Sequence, residues 1–262
     1  MNLIDRLDKE TYNTQVIVFA GGAGKRMGRS DIPKPLVKVG GKTLLDYCVE
    51  RLKENGFYNF VFLIGHLHEK ILKYTNNFEK YGINAKYSID PEGIKVGKGK
   101  ALKYALENGI VDKKKRALIV YPDDFFLDKS LFIRVLLHHI EGKRIFDIEA
   151  TVVLTTGTEY PFGVAELNES GIVRKFEEKP FITKYTNTGL SIIEPEVFDL
   201  VDKLIDMNAE NAVELEKVIW PEIARRGKMY SMIIPHGIWY PVNTQKELER
   251  LEKILREIKI NQ

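Results

Sequence analysis

The sequence predicts an α/β fold in which a mixed, mostly parallel sheet is flanked by helices on both faces. Short apolar runs alternate with amphipathic helical patterns through the first half of the chain. A glycine-rich segment directly follows the first apolar run, as at the carboxyl end of a buried strand. The chain has 262 residues, 44% of them hydrophobic, which is enough for the core of one large domain.

The first half of the chain contains four short apolar runs, which predict buried strands at residues 16–20, 60–64, 85–89 and 117–121. Apolar side chains recur every three or four residues elsewhere, which predicts helices over 44–52, 100–108 and 131–140. Thr43 and Asp46 have the spacing of a capping box at the start of the first helix. Because strands that are joined by helices usually pair in parallel, we expect a mostly parallel sheet.

The second half of the chain has shorter connections and more strands. Strands are predicted at 148–155, 164–167, 172–177, 188–193 and 229–234, and helices at 197–204, 213–225 and 245–258. Gly171 lies between the second and third of these strands and predicts a hairpin turn. No linker, repeat or low-complexity segment divides the chain, so residues 1–262 are expected to form a single domain.

The composition excludes several classes of protein. The net charge of +3 is balanced rather than strongly basic, so no nucleic-acid partner is expected. The single cysteine, Cys48, is expected in the core and excludes a disulfide framework or a cysteine-based zinc site. No apolar stretch approaches about 20 residues and no signal-peptide pattern is present, so we expect a cytoplasmic protein with no membrane partner. Glutamine is scarce beside abundant lysine and glutamate, a bias that suggests a thermophilic source.

The first predicted strand runs directly into Gly21, Gly22 and Gly24, and Lys25 and Arg26 follow. Glycines let backbone N–H groups face a bound anion, and the two cations add positive charge beside them. The segment therefore predicts a site for a polyphosphate. The plainer interpretation is a tight turn that carries surface cations.

Spacing excludes the two best-known phosphate motifs for this segment. A P-loop requires a glycine, four further residues and then Gly-Lys-Ser or Gly-Lys-Thr. Residues 41–43 match the end of that motif, but Leu36 occupies the position of its first glycine. A dinucleotide fingerprint requires a third glycine where this chain has Met27, and no acidic residue ends the second predicted strand.

Two further lysines stand in distinctive settings. Lys34 lies between Pro33 and Pro35, which favour an extended backbone that would direct its ammonium group at a fixed point. Lys179 follows Glu178 directly after a predicted strand, where the carboxylate can accept hydrogen bonds from sugar hydroxyls and the lysine can neutralise a phosphate. The plainer interpretations are an exposed lysine on a rigid loop and a surface ion pair.

Oxygen-bearing side chains follow the fourth predicted strand and precede the last predicted helix. Asp123 and Asp124 come just past a buried strand, where aspartates suit Mg²⁺ together with substrate phosphates. We expect Asp123 to be the ligand and Asp124 to be a turn residue, with a helix or turn cap as the alternative. Asn243 is a second candidate ligand, although either Asn243 or Thr244 is also able to cap the last helix.

The order of these motifs resembles that of the sugar-phosphate nucleotidyltransferases, the NDP-sugar pyrophosphorylases that include glucose-1-phosphate thymidylyl- and uridylyltransferases. The resemblance covers about residues 15–250. The matching segments are 21–27 for G-G-x-G-(T/S)-R-(L/M), 33–36 for P-K-P-L, 97–102 loosely for G-T-x-x-A-L, Asp123 for the metal aspartate, 162–164 for Y-G-V, 178–180 for E-K-P, 187–189 for N-T-G and 242–243 for V-N. The sequence departs from the family at Lys25, where threonine or serine is usual, and in the short segment between Arg26 and Lys34.

The resemblance implies a Rossmann-like, GT-A-like fold of the nucleotide-diphospho-sugar transferases. It implies a nucleotide-binding half over about residues 1–130 and a sugar-binding half over about 131–262, without the C-terminal β-helix domain of some relatives. The implied enzyme joins an NTP and a sugar 1-phosphate to give an NDP-sugar and pyrophosphate, with Mg²⁺ as its cofactor.

The resemblance also implies roles for individual residues. Nucleotide binding is assigned to Ala20, Gly21, Gly22, Gly24, Lys25 and Gly97. Catalytic charges are assigned to Arg26, Lys34 and Lys179. Sugar-phosphate binding is assigned to Gly163, Glu178, Lys179, Thr188 and Gly189, and Mg²⁺ to Asp123 and Asn243.

Several alternatives stay open at the level of sequence. The chain would also suit a non-catalytic nucleotide-sugar sensor on the same fold, or a cytidylyltransferase that acts on a non-sugar phosphate. His66 and His68 form a poor zinc site, because no third ligand is spaced nearby. The late helices either cover the sheet or pair with a second subunit in a homo-oligomer. The sequence selects neither the base nor the sugar.

Overall fold

The structure is a computed structural model that describes residues 3–22 and 31–260. The described strands are β1 (Thr14–Phe19), β2 (Lys38–Val39), β3 (Lys42–Thr43), β4 (Asn59–Ile64), β5 (Asn84–Ile89), β6 (Arg116–Val120), β7 (Asp124–Phe126), β8 (Ala150–Glu159), β9 (Val164–Leu167), β10 (Val173–Glu177), β11 (Phe181–Ile193), β12 (Met229–Ile234) and β13 (Trp239–Pro241). The described helices are α1 (Leu3–Asn13), α2 (Leu44–Glu54), α3 (His68–Thr75), α4 (Gly97–Glu107), α5 (Leu131–Phe146), α6 (Glu196–Leu204), α7 (Leu215–Arg225) and α8 (Gln245–Ile260). Short 3-10 turns lie at Lys34–Leu36 and Glu79–Tyr81.

A seven-stranded sheet forms the centre of the molecule, in the order β12–β8–β11–β6–β1–β4–β5. β6, β1, β4 and β5 pair in parallel, and so do β12 and β8. β11 is antiparallel to both of its neighbours, β6 and β8. The prediction of a mixed, mostly parallel sheet is therefore confirmed.

Helices cover both faces of the sheet, because alternate side chains of each buried strand point to opposite faces. On one face Val16 and Val18 of β1 belong to a core that also contains buried residues of α2 and α5. On the other face Ile17 and Phe19 belong to a core that contains buried residues of α4, α6 and α7. Both cores hold the carboxyl ends of the parallel strands in a fixed arrangement at one edge of the sheet.

A third, smaller core fixes the segments that surround that edge. It contains Val37 and Val39 beside β2, Phe125 of β7, and Val242 and Leu248 around the start of α8. β7 pairs with β13, and β2 pairs with β3. These contacts bring the segment after Lys34, the segment after Asp123 and the segment before Asn243 together, although they are far apart in the sequence.

Several local expectations differ from the structure. α1 and α3 were not predicted, and β11 begins at Phe181 rather than at residue 188. The backbone at Lys34 is not extended as expected: Pro33 is extended, but Lys34–Leu36 form a 3-10 turn closed by the hydrogen bond from Leu36 N–H to Pro33 O (2.8 Å). Pro35 tolerates this turn because the first residues of a helical turn need no N–H donor. Within the described residues, no helix is both long and apolar enough to cross a membrane.

The predicted capping box at the start of α2 is confirmed, and its aspartate also joins α2 to the following segments. Asp46 accepts hydrogen bonds from the backbone N–H of Thr43 (3.0 Å), from Tyr74 Oη (2.6 Å), from Tyr81 Oη (2.9 Å) and from Lys80 Nζ (2.8 Å). Burial alone would raise the pKa of Asp46, but the hydrogen bonds from Lys80, Tyr74 and Thr43 hold it well below the usual range.

We expect the substitution Asp46→Asn to lower the free energy of unfolding by about 2–3 kcal/mol at pH 7, because donors that face Asp46 lose a charged acceptor. A depressed folded pKa stabilises the protein above the unfolded aspartate pKa of about 4, and this contribution is lost as the pH falls toward the folded value. Urea unfolding of both proteins at pH 7 and pH 3 measures the difference, with exposed Asp8→Asn as the control. If the difference in unfolding free energy between wild type and Asp46→Asn were the same at pH 3 as at pH 7, the loss would come from packing and not from the charge of Asp46.

Candidate active site

A cleft with a volume of about 840 Å³ lies at the carboxyl ends of β1, β4, β5 and β6. In open α/β sheets, ligands bind beyond the carboxyl ends of the strands, which is where this cleft opens. It is lined from three directions: by Gly21 and Gly22 after β1, by Asp90 after β5, and by Asp123 after β6. Lys34, Lys98 and Asn243 contribute further polar side chains to its lining.

Three of the predicted site residues converge at one corner of the cleft, which we call the cation corner (Lys34, Asp123 and Asn243). Lys34 Nζ donates a hydrogen bond to Asn243 Oδ1 (2.9 Å) and forms an ion pair with Asp123 Oδ2. The backbone N–H of Val242 donates to the carbonyl oxygen of Asp123 (2.8 Å), which fixes the segment before Asn243 against the end of β6. The side chains of Lys34 and Asp123 are 13% and 25% exposed, so the pair is accessible from the cleft but only partly hydrated.

The structure distinguishes the two candidate roles at the start of α8. Thr244 caps the helix: Glu247 N–H donates to Thr244 Oγ1 (3.3 Å), and Glu247 Oε2 accepts from Thr244 N–H (2.8 Å). This reciprocal pair is a capping box. Because Thr244 supplies the cap, the amide side chain of Asn243 faces Asp123 and Lys34 instead. Asn243 as a metal ligand stays a prediction.

The cation corner has the donor set that a hard divalent cation requires. One oxygen of Asp123 and one oxygen of Asn243 converge on the ammonium of Lys34, which contacts both. Mg²⁺ commonly takes one or two protein oxygens and completes its shell with waters and substrate phosphates. Over residues 3–22 and 31–260, no group of three or more His, Cys, Asp or Glu side chains is placed to hold a metal. A metal site with three or more such ligands is therefore not found among these residues.

Asp124 closes the turn after β6, since its backbone N–H donates to Tyr121 O (3.1 Å). It also begins β7, and its Oδ1 accepts a hydrogen bond from Trp239 Nε1 of β13 (2.8 Å). Burial, together with the charge of Asp123, raises the pKa of Asp124 well above its usual range. Its other oxygen lies against Gly189, where a Cβ would approach it to 2.6 Å. The absence of a side chain at Gly189 therefore leaves room for the Asp124 carboxylate. This packing explains the glycine without any contact to a sugar.

The nucleotide-side predictions are partly within the described residues. Ala20 and Gly21 continue β1 into the cleft: Ala20 N–H donates to Leu63 O (2.8 Å), and Gly21 O accepts from His66 N–H (3.3 Å). Gly97 lines the cleft as the first residue of α4. Gly24, Lys25 and Arg26 lie outside the described residues, and their predicted roles stay predictions.

Two cleft residues, Lys98 and Asp90, were not anticipated. Lys98 Nζ contacts Glu214 (3.5 Å), forms a closer ion pair with Glu216, and lies 5.1 Å from the ring centroid of Tyr121. The position of Lys98 between Gly97 and Gly99 in the first turn of a helix is a local signal, but its carboxylate partners lie more than 100 residues away. Asp90 directly follows β5. The dinucleotide fingerprint has its carboxylate at the end of the second strand, which is β4 here, so Asp90 lies one strand further along the sheet.

The residues predicted to bind the sugar phosphate lie in different environments in the structure. Gly163 and Glu178 lie together, since a Cβ at Gly163 would be 2.8 Å from Glu178 Oε2. Glu178 and Lys179 are exposed beside the β9–β10 hairpin and are not among the residues that line the cleft. Thr188 is 1% exposed, and its hydroxyl donates to Val153 O (2.9 Å) within the sheet. The Thr188 side chain is therefore occupied by a hydrogen bond within the sheet.

Comparison with known proteins places the chain in a family. A family model described as nucleotidyl transferase matches residues 15–257. The chain is 29% identical over 239 residues to a mannose-1-phosphate guanyltransferase of Yarrowia lipolytica, covering 88% of this chain and 61% of that protein. It is 28% identical over 201 residues to a UTP–glucose-1-phosphate uridylyltransferase of Synechocystis, covering 71% of this chain and 50% of that protein. The chain thus spans only part of the length of these relatives.

A solved structure supports the fold. A crystal structure from Bacillus anthracis assigned as a glucose-1-phosphate thymidylyltransferase superimposes with a TM-score of 0.71 and 22% identity. The alignment covers 93% of this chain and 95% of that one. At this identity the likeness shows the fold, which agrees with the Rossmann-like, GT-A-like architecture expected from the motifs. Together with the match over residues 15–257, these findings establish that the chain belongs to the nucleotidyl transferase family.

Proposed function

We propose that the protein transfers a nucleotidyl group from a nucleoside triphosphate to a sugar 1-phosphate, giving an NDP-sugar and pyrophosphate, with Mg²⁺ as its cofactor. The single observation that carries this proposal is the cation corner, where Lys34, Asp123 and Asn243 meet at the edge of the cleft into which β1 leads. An ammonium and two oxygen ligands side by side are suited to a reaction between two phosphates. The matches to sugar-phosphate nucleotidyltransferases support the same class of reaction.

In the proposed step, an oxygen of the sugar phosphate forms a bond to the α-phosphorus of the triphosphate. The bond from the α-phosphorus to the bridging oxygen breaks, and pyrophosphate leaves with that oxygen and the electron pair. A phosphate monoester is anionic near neutral pH, so the step needs no strong general base. Catalysis then consists of positioning the two phosphates and neutralising the charge between them.

The residues of this chain divide that work in the proposed mechanism. Lys34 neutralises charge at the α-phosphate, and the backbone N–H groups of the glycine-rich segment beyond Gly21, with Arg26, hold the β- and γ-phosphates. Asp123 and Asn243 would hold Mg²⁺, which when bound would supply positive charge to offset the negative charge of the substrate phosphates. Glu178 and Lys179 would bind the sugar and its phosphate, and the backbone around Gly163, Thr188 and Gly189 would border the sugar.

A panel that measures pyrophosphate release tests the proposal. It combines each of the four common NTPs and dTTP with hexose 1-phosphates and with phosphocholine, in the presence and absence of Mg²⁺. Release that requires a sugar 1-phosphate supports the proposed function. Release with phosphocholine alone would indicate a transferase for a non-sugar phosphate, and nucleotide binding without any release would indicate a sensor.

A further inference from the structure

Asp90 places a carboxylate deep in the cleft at the side away from the cation corner. The residue follows β5, at the edge of the sheet, and its carboxylate lies beside Gly65 after β4 and Gly21 after β1. A Cβ on Gly65 would overlap the carboxylate, and a Cβ on Gly21 would lie 3.0 Å from Asp90 Oδ2. Two glycines from separate strands thus leave the space that this carboxylate occupies.

The Asp90 carboxylate has no hydrogen-bond donor from any residue in the described part of the chain. Burial raises the pKa of Asp90 to about 6, and the charge of His68 at the start of α3 lowers it in part. Buried carboxylates are normally paired or hydrogen-bonded, so a half-buried carboxylate that lines a cleft without such a donor is a candidate for ligand binding.

The position of Asp90 indicates which part of a nucleotide it would meet. In the sheet order β6–β1–β4–β5, Asp123 follows the first strand, the glycine-rich segment follows the second, and Asp90 follows the last. Phosphates belong near Lys34 and the N–H groups of the glycine-rich segment beyond Gly21, because the Asp90 carboxylate beside Gly21 would repel them. The apolar side chains of Phe19 and Leu63 line the cleft between these ends and suit a flat ring. Asp90 is therefore placed for a neutral group that donates hydrogen bonds.

We propose that Asp90 reads the nucleobase and selects guanine, an inference that rests on the proposed function and specifies its substrate. Guanine presents two adjacent donors, N1–H and N2–H₂, which match the two oxygens of one carboxylate. Adenine and cytosine offer an amino donor beside a ring-nitrogen acceptor. Uracil and thymine offer one N–H between two carbonyl acceptors. Each of these bases would set an acceptor against the carboxylate, and a mismatched bidentate contact loses about 1–3 kcal/mol, or about 5- to 150-fold in preference.

The test compares wild type with Asp90→Asn, using kcat/KM for GTP, UTP and dTTP with a fixed sugar 1-phosphate at pH 7.5. The wild type is expected to prefer GTP. The asparagine amide offers one acceptor and one donor, which match uracil or thymine better than guanine. We therefore expect the ratio of GTP to UTP turnover to fall by about 10- to 100-fold in the variant. Glu92→Gln is the matched control, because Glu92 is an exposed carboxylate two residues away that does not line the cleft.

A pH series provides a second readout that a structural role would not move. Because Asp90 is protonated below about pH 6, the wild-type preference for GTP is expected to decline between pH 7.5 and pH 5.5, while the ratio in Asp90→Asn stays flat. Folding of the variant is checked by urea unfolding. A raised folded pKa lowers stability as pH rises through that value, so Asp90→Asn should unfold at higher urea than wild type at pH 7.5 and lose this advantage at pH 4.

The outcomes separate the inference from the function beneath it. If the wild type releases pyrophosphate but Asp90→Asn leaves the GTP to UTP ratio unchanged, the inference about Asp90 is wrong and the proposed function stands. If the wild type releases no pyrophosphate with any NTP, the proposed function fails. Equilibrium binding of GTP and UTP to wild type and Asp90→Asn then decides the inference alone, since an unchanged ratio of dissociation constants would overturn it.

Discussion

Asp123→Ala is expected to lower kcat/KM for pyrophosphate release by about 10²–10³-fold, the loss typical of removing one charged group that stabilises a transition state. Asp123 supplies one of the two converging oxygens of the cation corner and is the ion-pair partner of Lys34. Without it, Asn243 is the only side-chain oxygen left on Lys34 among the residues that the structure describes. The expected variant is therefore folded but nearly inactive.

The measurement is steady-state pyrophosphate release across a series of Mg²⁺ concentrations. If Asp123 holds the cation, Asp123→Ala should need a much higher Mg²⁺ concentration than wild type to reach half of its maximal rate. This Mg²⁺ concentration is a readout that is separate from the maximal rate. Asp128→Ala is the control, because Asp128 also follows a strand but accepts a hydrogen bond from Ser130 N–H (2.9 Å) just before α5 and does not line the cleft. Retention of more than about a tenth of wild-type activity by Asp123→Ala would exclude the assigned role.

The cation corner could be predicted from sequence because its parts follow from local rules. Asp123 directly follows a buried apolar run, and the ends of neighbouring parallel strands meet at one edge of the sheet. That Lys34 and Asn243 lie near Asp123 could be expected only from the order of the motifs, since the sequence around each of them does not indicate a neighbouring strand. In the structure, the small core that contains Val37, Phe125 and Val242 holds the three segments together.

Asp90 shows where sequence reasoning is insufficient. Asp90 follows β5, whose side chains are mostly exposed or half-exposed, as expected of an edge strand. Nothing in the sequence of β5 indicates that the residue after it belongs to a site. The direction of the Asp90 side chain depends on Gly21 and Gly65, two glycines that follow other strands. Such a contact requires the register between β1, β4 and β5, which no local pattern contains.

Thr188 shows a second limit of sequence reasoning, in which a motif residue has its side chain engaged within the fold. Its motif resembles a sugar-binding segment, and a threonine hydroxyl is a plausible hydrogen-bonding group for a sugar. The strand that contains it is longer than predicted, however, and the Thr188 hydroxyl donates a hydrogen bond to the carbonyl oxygen of Val153. A motif match alone therefore does not determine which atoms of a segment remain available to a ligand.

Lys34→Met is expected to reduce kcat/KM by about 10²–10³-fold and, at the same time, to make the free enzyme respond more strongly to Mg²⁺. The activity falls because the ammonium proposed to neutralise the α-phosphate is gone. The response to Mg²⁺ rises because Asp123 and Asn243 lose the cation that contacts both of them and are left as two converging oxygens. Methionine keeps the length of the side chain without its charge, so it preserves packing beside Pro35.

Thermal unfolding of wild type and Lys34→Met, with and without Mg²⁺ and in the absence of nucleotide, measures the second effect. The midpoint of the variant should rise with Mg²⁺ by more than that of wild type, because binding to the folded state alone stabilises it. Lys38→Met is the control, since Lys38 is exposed in β2 and does not line the cleft. A variant that kept its activity would remove Lys34 from the reaction. Equal Mg²⁺ shifts in the two proteins would show that Lys34 and the divalent cation do not share the oxygens of Asp123 and Asn243.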